Sequence, residues 1–336
     1  MRELSHLACP VCRAPLGVGA GELSCVDCGE RFPETLGGFD LRPGAGDANK
    51  VTQADIYDER LGELSNFDHP HNLTLFTERR WLQSLTLSAG DRVLELGGHR
   101  SGALPYLERA RGVRCNGVDI SPHWVAEQNR LARARGADTL WVRADAEHLP
   151  FADGTFDGML SFDVFEHLSD LRAAVAEALR VLRPGGQLLA HLPVNDVSVS
   201  FDGLQKIFTE DAWRARQLQV GHDRDRMLCW PDVRSELLGA GFLLDWHMRF
   251  NVWVQPLHDH RFLAWLGRAR QLLSGRAADS PTVPETPPSA GSDASGFQKA
   301  YSRVAVPVVR ALAWPDRVGG ALGVGGSVAF RAVRPG

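Results

Sequence analysis

Residues 92–102 read RVLELGGHRSG, an apolar run, a tight glycine turn and the start of a helix. Such a turn lets the backbone approach a ligand closely and aims free N–H groups at it. Working outward, Asp119 closes the next apolar run, about 20 residues on, where a carboxylate can accept both hydroxyls of a ribose. Short apolar runs continue to alternate with helical patterns, the signature of a parallel α/β sheet. The expected strands are RVLEL (92–96), NGVDI (116–120), TLWVRAD (139–145), DGMLSFD (157–163), GQLLAHLP (186–193), LLDWHMRF (243–250) and SVAFRAVRP (327–335). Between them, SPHW offers Ser121 as a helix cap and Pro122 as the first helical residue. That helix places Trp124, Gln128, Leu131 and Ala132 on one face. DLRAAVAEALRVL repeats Leu171, Val175, Ala178, Leu179 and Leu182 at helical spacing, and Pro184, Gly185 and Gly186 end it.

The chain has 336 residues, 44% apolar and 23% charged, enough for one large domain plus a small one. That composition excludes a disulfide-stapled mini-protein, a collagen-like chain and a wholly disordered chain. A formal charge of −4 gives no bulk attraction to nucleic acid or anionic membrane. The first ten residues lack an apolar targeting core, and no apolar run reaches the ~18 residues of a spanning helix. VAVPVV (304–309) is cut by Pro307 and followed by Arg310. The expectation is a cytoplasmic protein with no membrane partner.

Four of the six cysteines form CPVC and CVDC: Cys9, Cys12, Cys25 and Cys28. Two such knuckles a dozen residues apart suit tetrahedral zinc, and RAPLGVGAGELS between them can turn as a hairpin. A reducing compartment disfavours two disulfides, and the pairing of knuckles disfavours a lone redox motif. Four sulfurs leave no open coordination position, so the ion is read as structural. Cys115 and Cys229 are read as small buried apolar residues. The expected organisation is a zinc ribbon at 1–43, a linker with helices at 44–90, and a catalytic domain at 91–336. Residues 275–296, rich in Pro, Ser, Ala and Gly, are expected to be mobile.

VLELGG, GVDIS, RADAEHLPFADGTFD, LSFDVFEHLSD and RVLRPGG follow one another in order over 91–193. In these motifs the chain resembles the class I S-adenosylmethionine-dependent methyltransferases of the ubiquinone-biosynthesis-like group. The resemblance implies a Rossmann-like α/β fold, a mostly parallel seven-stranded sheet whose last strand runs antiparallel beside the sixth. It also implies an insertion at 255–325 between the last two strands. Position by position, Glu95 falls toward the methionine part of the cofactor, Gly97 opens the glycine loop and Asp119 falls at the ribose, with Gly98 and Ile120 also counted as cofactor-binding. Asp145 and Ala146 fall at the adenine, and Ser161 and Phe162 at the methionine end. One departure stands out: His99 and Ser101 occupy the second and third glycine places of the usual G-x-G-x-G loop, with Gly98 and Gly102 one place off.

Methyl transfer from a sulfonium is an in-line displacement, so the protein mainly aligns the acceptor and excludes water. A hydroxyl acceptor benefits from a general base, and an amine acceptor must be unprotonated. The candidates lie at the carboxyl ends of the fourth and fifth strands: Asp163, Glu166, His167 and His191, with His222 in GHDRDR as a further one. Leu257, Phe262, Leu263, Trp265 and Leu266 form an apolar helical face in the insertion, a candidate cap for the acceptor pocket. The ribbon-plus-methyltransferase order also resembles ribosomal RNA guanine methyltransferases. However, residues 1–43 hold four arginines against six carboxylates, with only Phe32 and Phe39 for stacking, where an RNA grip should be basic and aromatic. The favoured reading is O- or N-methylation of a small molecule, such as a natural product. The alternatives are the ribosomal RNA enzyme and a non-catalytic zinc-ribbon adaptor.

Overall fold

The computed structural model describes residues 4–35, 38–44, 67, 68, 70, 72–98, 102–196, 200–209, 211, 228–258 and 296–336. At the N-terminus β1 (Leu16–Val18), β2 (Glu22–Cys25), β3 (Arg31–Thr35) and β4 (Gly38–Phe39) form an antiparallel meander. The expected hairpin between the cysteine pairs is the β1–β2 ladder, with Leu16 opposite Cys25. Helix α1 (Leu73–Ser84) follows, its first turn closed by Asn72 Oδ1, which accepts from Leu75 N at 2.7 Å.

The main body alternates as the sequence predicts: β5 (Arg92–Leu96), α2 (Ala103–Arg111), β6 (Arg114–Asp119), α3 (Pro122–Ala134), β7 (Leu140–Arg143) and β8 (Phe156–Phe162). Then come α4 (Leu171–Val181), β9 (Leu182–Pro193), α5 (Phe201–Phe208), α6 (Trp230–Ala240) and β10 (Leu243–Phe250). A short turn of helix, Val254–Pro256, precedes α7 (Gly296–Leu312), α8 (Trp314–Ala321) and β11 (Ser327–Val333). The Ser121 cap is the one read from sequence, and Asp170 adds a second. Ser121 Oγ accepts from Trp124 N at 3.1 Å with Pro122 behind it, and Asp170 Oδ1 accepts from Ala173 N at 3.0 Å.

The seven-stranded sheet has the order β10-β11-β9-β8-β5-β6-β7. Strands β5 to β9 pair in parallel, and β11 runs antiparallel between β9 and β10. The order reverses at β5, so the carboxyl ends of β5, β6 and β8 open on the crevice where such sheets bind ligands. The central strands are buried on both faces, which is why they read as unbroken apolar runs.

The ribbon is packed onto the sheet. Leu7, Leu23, Phe32 and Leu41 share one apolar core with Val142, Leu149 and Phe151. Ala8 N donates to Pro150 O at 2.9 Å, and Leu41 N donates to Arg143 O at 2.7 Å. Asp40 bridges Arg143 in parallel, extending the sheet beyond its β7 edge. Gly38 lies so close to α3 that a Cβ there would stand 2.8 Å from Val125 Cγ1. On the other side, Arg334 caps α4, donating to Leu179 O and Arg180 O at 3.0 Å each. VAVPVV lies within α7 with Pro307 inside the helix, and no described helix is long and apolar enough to cross a membrane. His99, Arg100, Ser101, His222, Phe262, Leu263, Trp265, Leu266 and residues 275–295 lie outside the described residues.

Candidate functional site

The glycine turn leaves β5 with Gly97 at φ +71, a backbone geometry that side chains disfavour. Gly97 N donates to Val118 O at 2.8 Å, tying the turn to the neighbouring strand. Gly98 N donates to Asp119 Oδ2 at 2.8 Å, and Ser121 N donates to Oδ1 at 2.8 Å. The Asp119 carboxylate is therefore fixed at the end of β6 by the turn it faces and by the helix it precedes. A carboxylate offers about four acceptor positions, so orientation by backbone donors is compatible with holding a diol.

Two further residues hold the turn that spacing did not reveal. Gln128 Nε2, on α3, donates to Gly98 O at 2.8 Å. Trp141, on β7, lies over Gly117 and against Gly98, and a Cβ on either would fall 2.2 Å from its ring. Asn129 pins that strand, donating to Trp141 O at 2.8 Å and accepting from Trp141 N at 3.2 Å. Gln128 reads in the sequence as part of a packing face, and Trp141 as a strand residue. Their only signal is their polarity or bulk at buried positions.

Where the resemblance assigns Ile120, Asp145 and Ala146 to the adenine, Ala144 N donates to Asp119 O at 3.1 Å and ties the end of β7 to the end of β6. Asp145 Oδ1 accepts from Glu147 N at 3.0 Å and closes the turn after β7. Arg143 reaches across this end: its Nε donates to Ile120 O at 2.9 Å and its Nη1 meets Asp40 Oδ2 at 3.1 Å. Arg42 grips Asp40 with two bonds of 2.8 Å. The last residues of the ribbon thus stand beside the ends of β6 and β7. Asp40 is partly buried, which alone would raise its carboxyl, but Arg42 and Arg143 hold it below the usual range.

At the methionine end, Glu95 is buried at the end of β5 and Ser161 at the end of β8. Ser161 stands opposite Leu96 in register, and its Oγ is buried with no hydrogen-bond partner among the described residues. A buried hydroxyl without a partner costs about 1–3 kcal/mol, so a ligand group that meets it is favoured there. Together with the close-packed glycine turn, this makes the residues present fit S-adenosylmethionine.

His191 and Asp163, expected near the acceptor, are brought together. His191 Nδ1 lies 3.1 Å from Asp163 Oδ1, and Nε2 lies 2.9 Å from Oε1 of Glu78 on α1. The ring is buried, stacked on Phe162 at 4.7 Å and flanked by Trp81 and Phe250. Burial alone would lower its pKa, but the two carboxylates outweigh it and raise it to about 10. The two carboxylates therefore favour the imidazolium form of His191. Asp163 adopts φ +52, and its side chain is 62% exposed, the accessible member of the group. His167 sits apart on the short turn Phe165–His167, with Nε2 3.9 Å from Glu166 Oε1. Cys115 is buried, which raises its thiol pKa well above the ordinary range and leaves it unreactive. Cys229 is only half-buried.

The four knuckle cysteines converge, with all four sulfurs within 4.8 Å of one another. Cys9 and Cys28 Sγ are 3.7 Å apart, and Cys12 and Cys25 Sγ 3.3 Å. Cys28 N donates to Cys25 Sγ at 3.4 Å. Sulfurs bound at about 2.3 Å to one tetrahedral ion stand at such separations.

Residues 94–190 match the methyltransferase domain family. The demethylmenaquinone methyltransferase of Thermus thermophilus is 38% identical over 112 residues, covering 33% of this chain and 51% of that protein. The 27-O-demethylrifamycin SV methyltransferase of Amycolatopsis mediterranei is 32% identical over 144 residues, covering 40% of this chain and 53% of that protein. This chain spans about half the length of these curated relatives. Among solved structures, phosphoethanolamine N-methyltransferase 2 of Haemonchus contortus, in complex with S-adenosyl-L-methionine, superposes with a TM-score of 0.52 at 16% identity. That match covers 91% of this chain and 62% of the other, and supports the fold.

Proposed function

From the premise that this chain carries a class I S-adenosylmethionine-dependent methyltransferase domain, we propose that it methylates an oxygen or nitrogen of a small-molecule acceptor. The observation that carries this reading is the turn Gly97–Gly98 locked to Asp119 at the switch point of the sheet. When bound, S-adenosylmethionine supplies a methyl group already activated on a sulfonium. Asp119 holds the ribose. Asp145 and the Ala146 backbone take the adenine edge, with Ile120 beside it. Glu95, Gly97 and Ser161 receive the methionine end. His191 positions Asp163 through their 3.1 Å contact and is itself steadied by Glu78. Asp163 takes the proton of a hydroxyl acceptor or orients an amine, since His191 is already protonated. His167 is a secondary candidate on the same rim.

The names of the relatives, a quinone and a rifamycin methyltransferase, favour small molecules over RNA. The acidic ribbon supports the same choice, with four thiolates around zinc adding further negative charge. We assign zinc to Cys9, Cys12, Cys25 and Cys28 as a closed structural ion.

Calorimetry with S-adenosylmethionine and S-adenosylhomocysteine tests this. Binding that Asp119→Ala weakens tenfold or more, with the fold intact by circular dichroism, is the expected result. Absence of binding to the folded native chain overturns the enzymatic reading and leaves the adaptor.

A further inference from the structure

One face of α1 turns away from His191 and carries Phe76, Arg79, Arg80 and Gln83, which line a cavity of about 250 Å³. Arg310, from α7, lies over the Phe76 ring with its guanidinium carbon 4.7 Å from the ring centre. Arg79 is held over Tyr106 at 5.7 Å and donates to Asp68 O at 3.1 Å. Arg80, Arg310 and Arg317 make no ion pair among the described residues, whereas Arg42 and Arg143 both pair with Asp40. Like charges brought close together raise one another's energy. Accordingly Arg310 is pulled below its ordinary pKa, first by burial and then by the charges of Arg80 and Arg317. The chain as a whole carries −4, so this cationic spot is local and does not reflect a basic surface.

We propose that the cavity on this face of α1 binds a phosphate-bearing anion, gripped by Arg79 and Arg80 from its lining and by Arg310, which reaches over Phe76 from α7. Guanidinium groups present forked donors that match phosphate oxygens two at a time. The volume accommodates a pyrophosphate or a phosphate monoester with a small substituent, and falls below the usual range for drug-sized ligands. Phe76 gives the cavity an apolar face and holds the Arg310 guanidinium by cation–π contact. This site is separate from the proposed nucleoside crevice, and its occupation does not depend on methyl transfer.

The test is calorimetric titration of the full-length, zinc-loaded chain with pyrophosphate and with inorganic phosphate at low and moderate salt. A parallel arm sediments the chain with phosphatidylglycerol vesicles and with neutral phosphatidylcholine vesicles. Each is repeated for Arg80→Gln, Arg310→Gln and, as an unrelated control, Arg130→Gln, whose arginine pairs with Glu127 on α3. All three side chains lie at the surface or half-buried, and thermal melting confirms that each variant folds. Arg80→Lys, which keeps the charge but loses the fork, serves if Arg80→Gln does not fold. Salt-sensitive pyrophosphate binding that weakens tenfold or more in the Arg80 and Arg310 variants, but not in Arg130→Gln, supports a soluble phosphate ligand. Capture by anionic vesicles alone, lost in the same variants, supports a lipid headgroup as the source of the same chemistry. No binding in either arm, or binding equally strong in all variants, overturns the proposal.

Discussion

At His191 two forces of opposite sign meet in one ring. Burial disfavours the cation, while Asp163 and Glu78 favour it and prevail, raising the pKa from 6.5 to about 10. Linkage fixes the sign of the consequence. The ion pair stabilises the fold fully below about pH 6.5, where folded and unfolded states both hold the proton. Its contribution declines as pH rises and vanishes above about 10. Thermal melts of the native chain and His191→Gln, followed from pH 6 to 11, should show a gap in melting temperature that closes with rising pH. A gap that stays constant would show that the ring is neutral. At this scale the glycine turn and Asp119 were legible because close backbone approach and a diol-binding carboxylate impose residue type and spacing together. Trp141 and Gln128 were not. A tryptophan beneath a glycine and an amide bonded to one carbonyl obey no spacing rule, and only the packed structure shows which backbone they meet. The protonation of His191 was illegible for a similar reason: Glu78 lies 113 residues away in sequence.

Each cysteine knuckle is a small element with its own logic. Cys9 N donates to Ala14 O at 2.9 Å, and Cys25 N donates to Glu30 O at 2.8 Å, so the two loops repeat the same turn. The residue after each second cysteine is left-handed: Arg13 at φ 66 and Gly29 at φ 74. Only the second loop uses glycine there. In the first, the cost of holding an arginine in that conformation, about 1–2 kcal/mol, must be met by the rest of the loop, and metal–thiolate bonds would supply it. One zinc per chain should be released on thiol modification and measured with a chromogenic chelator. Cys25→Ser should lose that ion and lower the melting temperature. A metal-free chain that melts as the native one does would contradict the assignment. The knuckles, the strands of the main sheet and the capped helices α3 and α4 were legible because each is fixed by local sequence. β5 and β10 have the expected bounds, while the ends of other strands shifted by up to four residues, as at β9, which begins at Leu182 where the expected strand began at Gly186. There the helix-ending Pro-Gly-Gly turn is itself drawn into the ladder by Gly185 N donating to Arg334 O at 2.8 Å.

For the whole molecule, ribbon and sheet share one apolar core. Leu41, fully buried between them, should cost about 2–5 kcal/mol when replaced by Ala. Calorimetric melting of Leu41→Ala should therefore lower a single transition of the entire chain. Two separate transitions, with only the smaller displaced, would instead mean that ribbon and sheet unfold independently. Packing between segments distant in sequence is not legible in the sequence itself, where the ribbon at 1–43 reads as a module joined by the linker at 44–90. The parallel bridge of Asp40 to Arg143 has one more effect. It shields part of the outermost rung of the sheet, whose amide groups would otherwise be open to pairing with another chain. Stripped of its first 43 residues, the protein would bare that rung and tend to stack on its own copies, so the cysteine-bearing segment also guards against self-association.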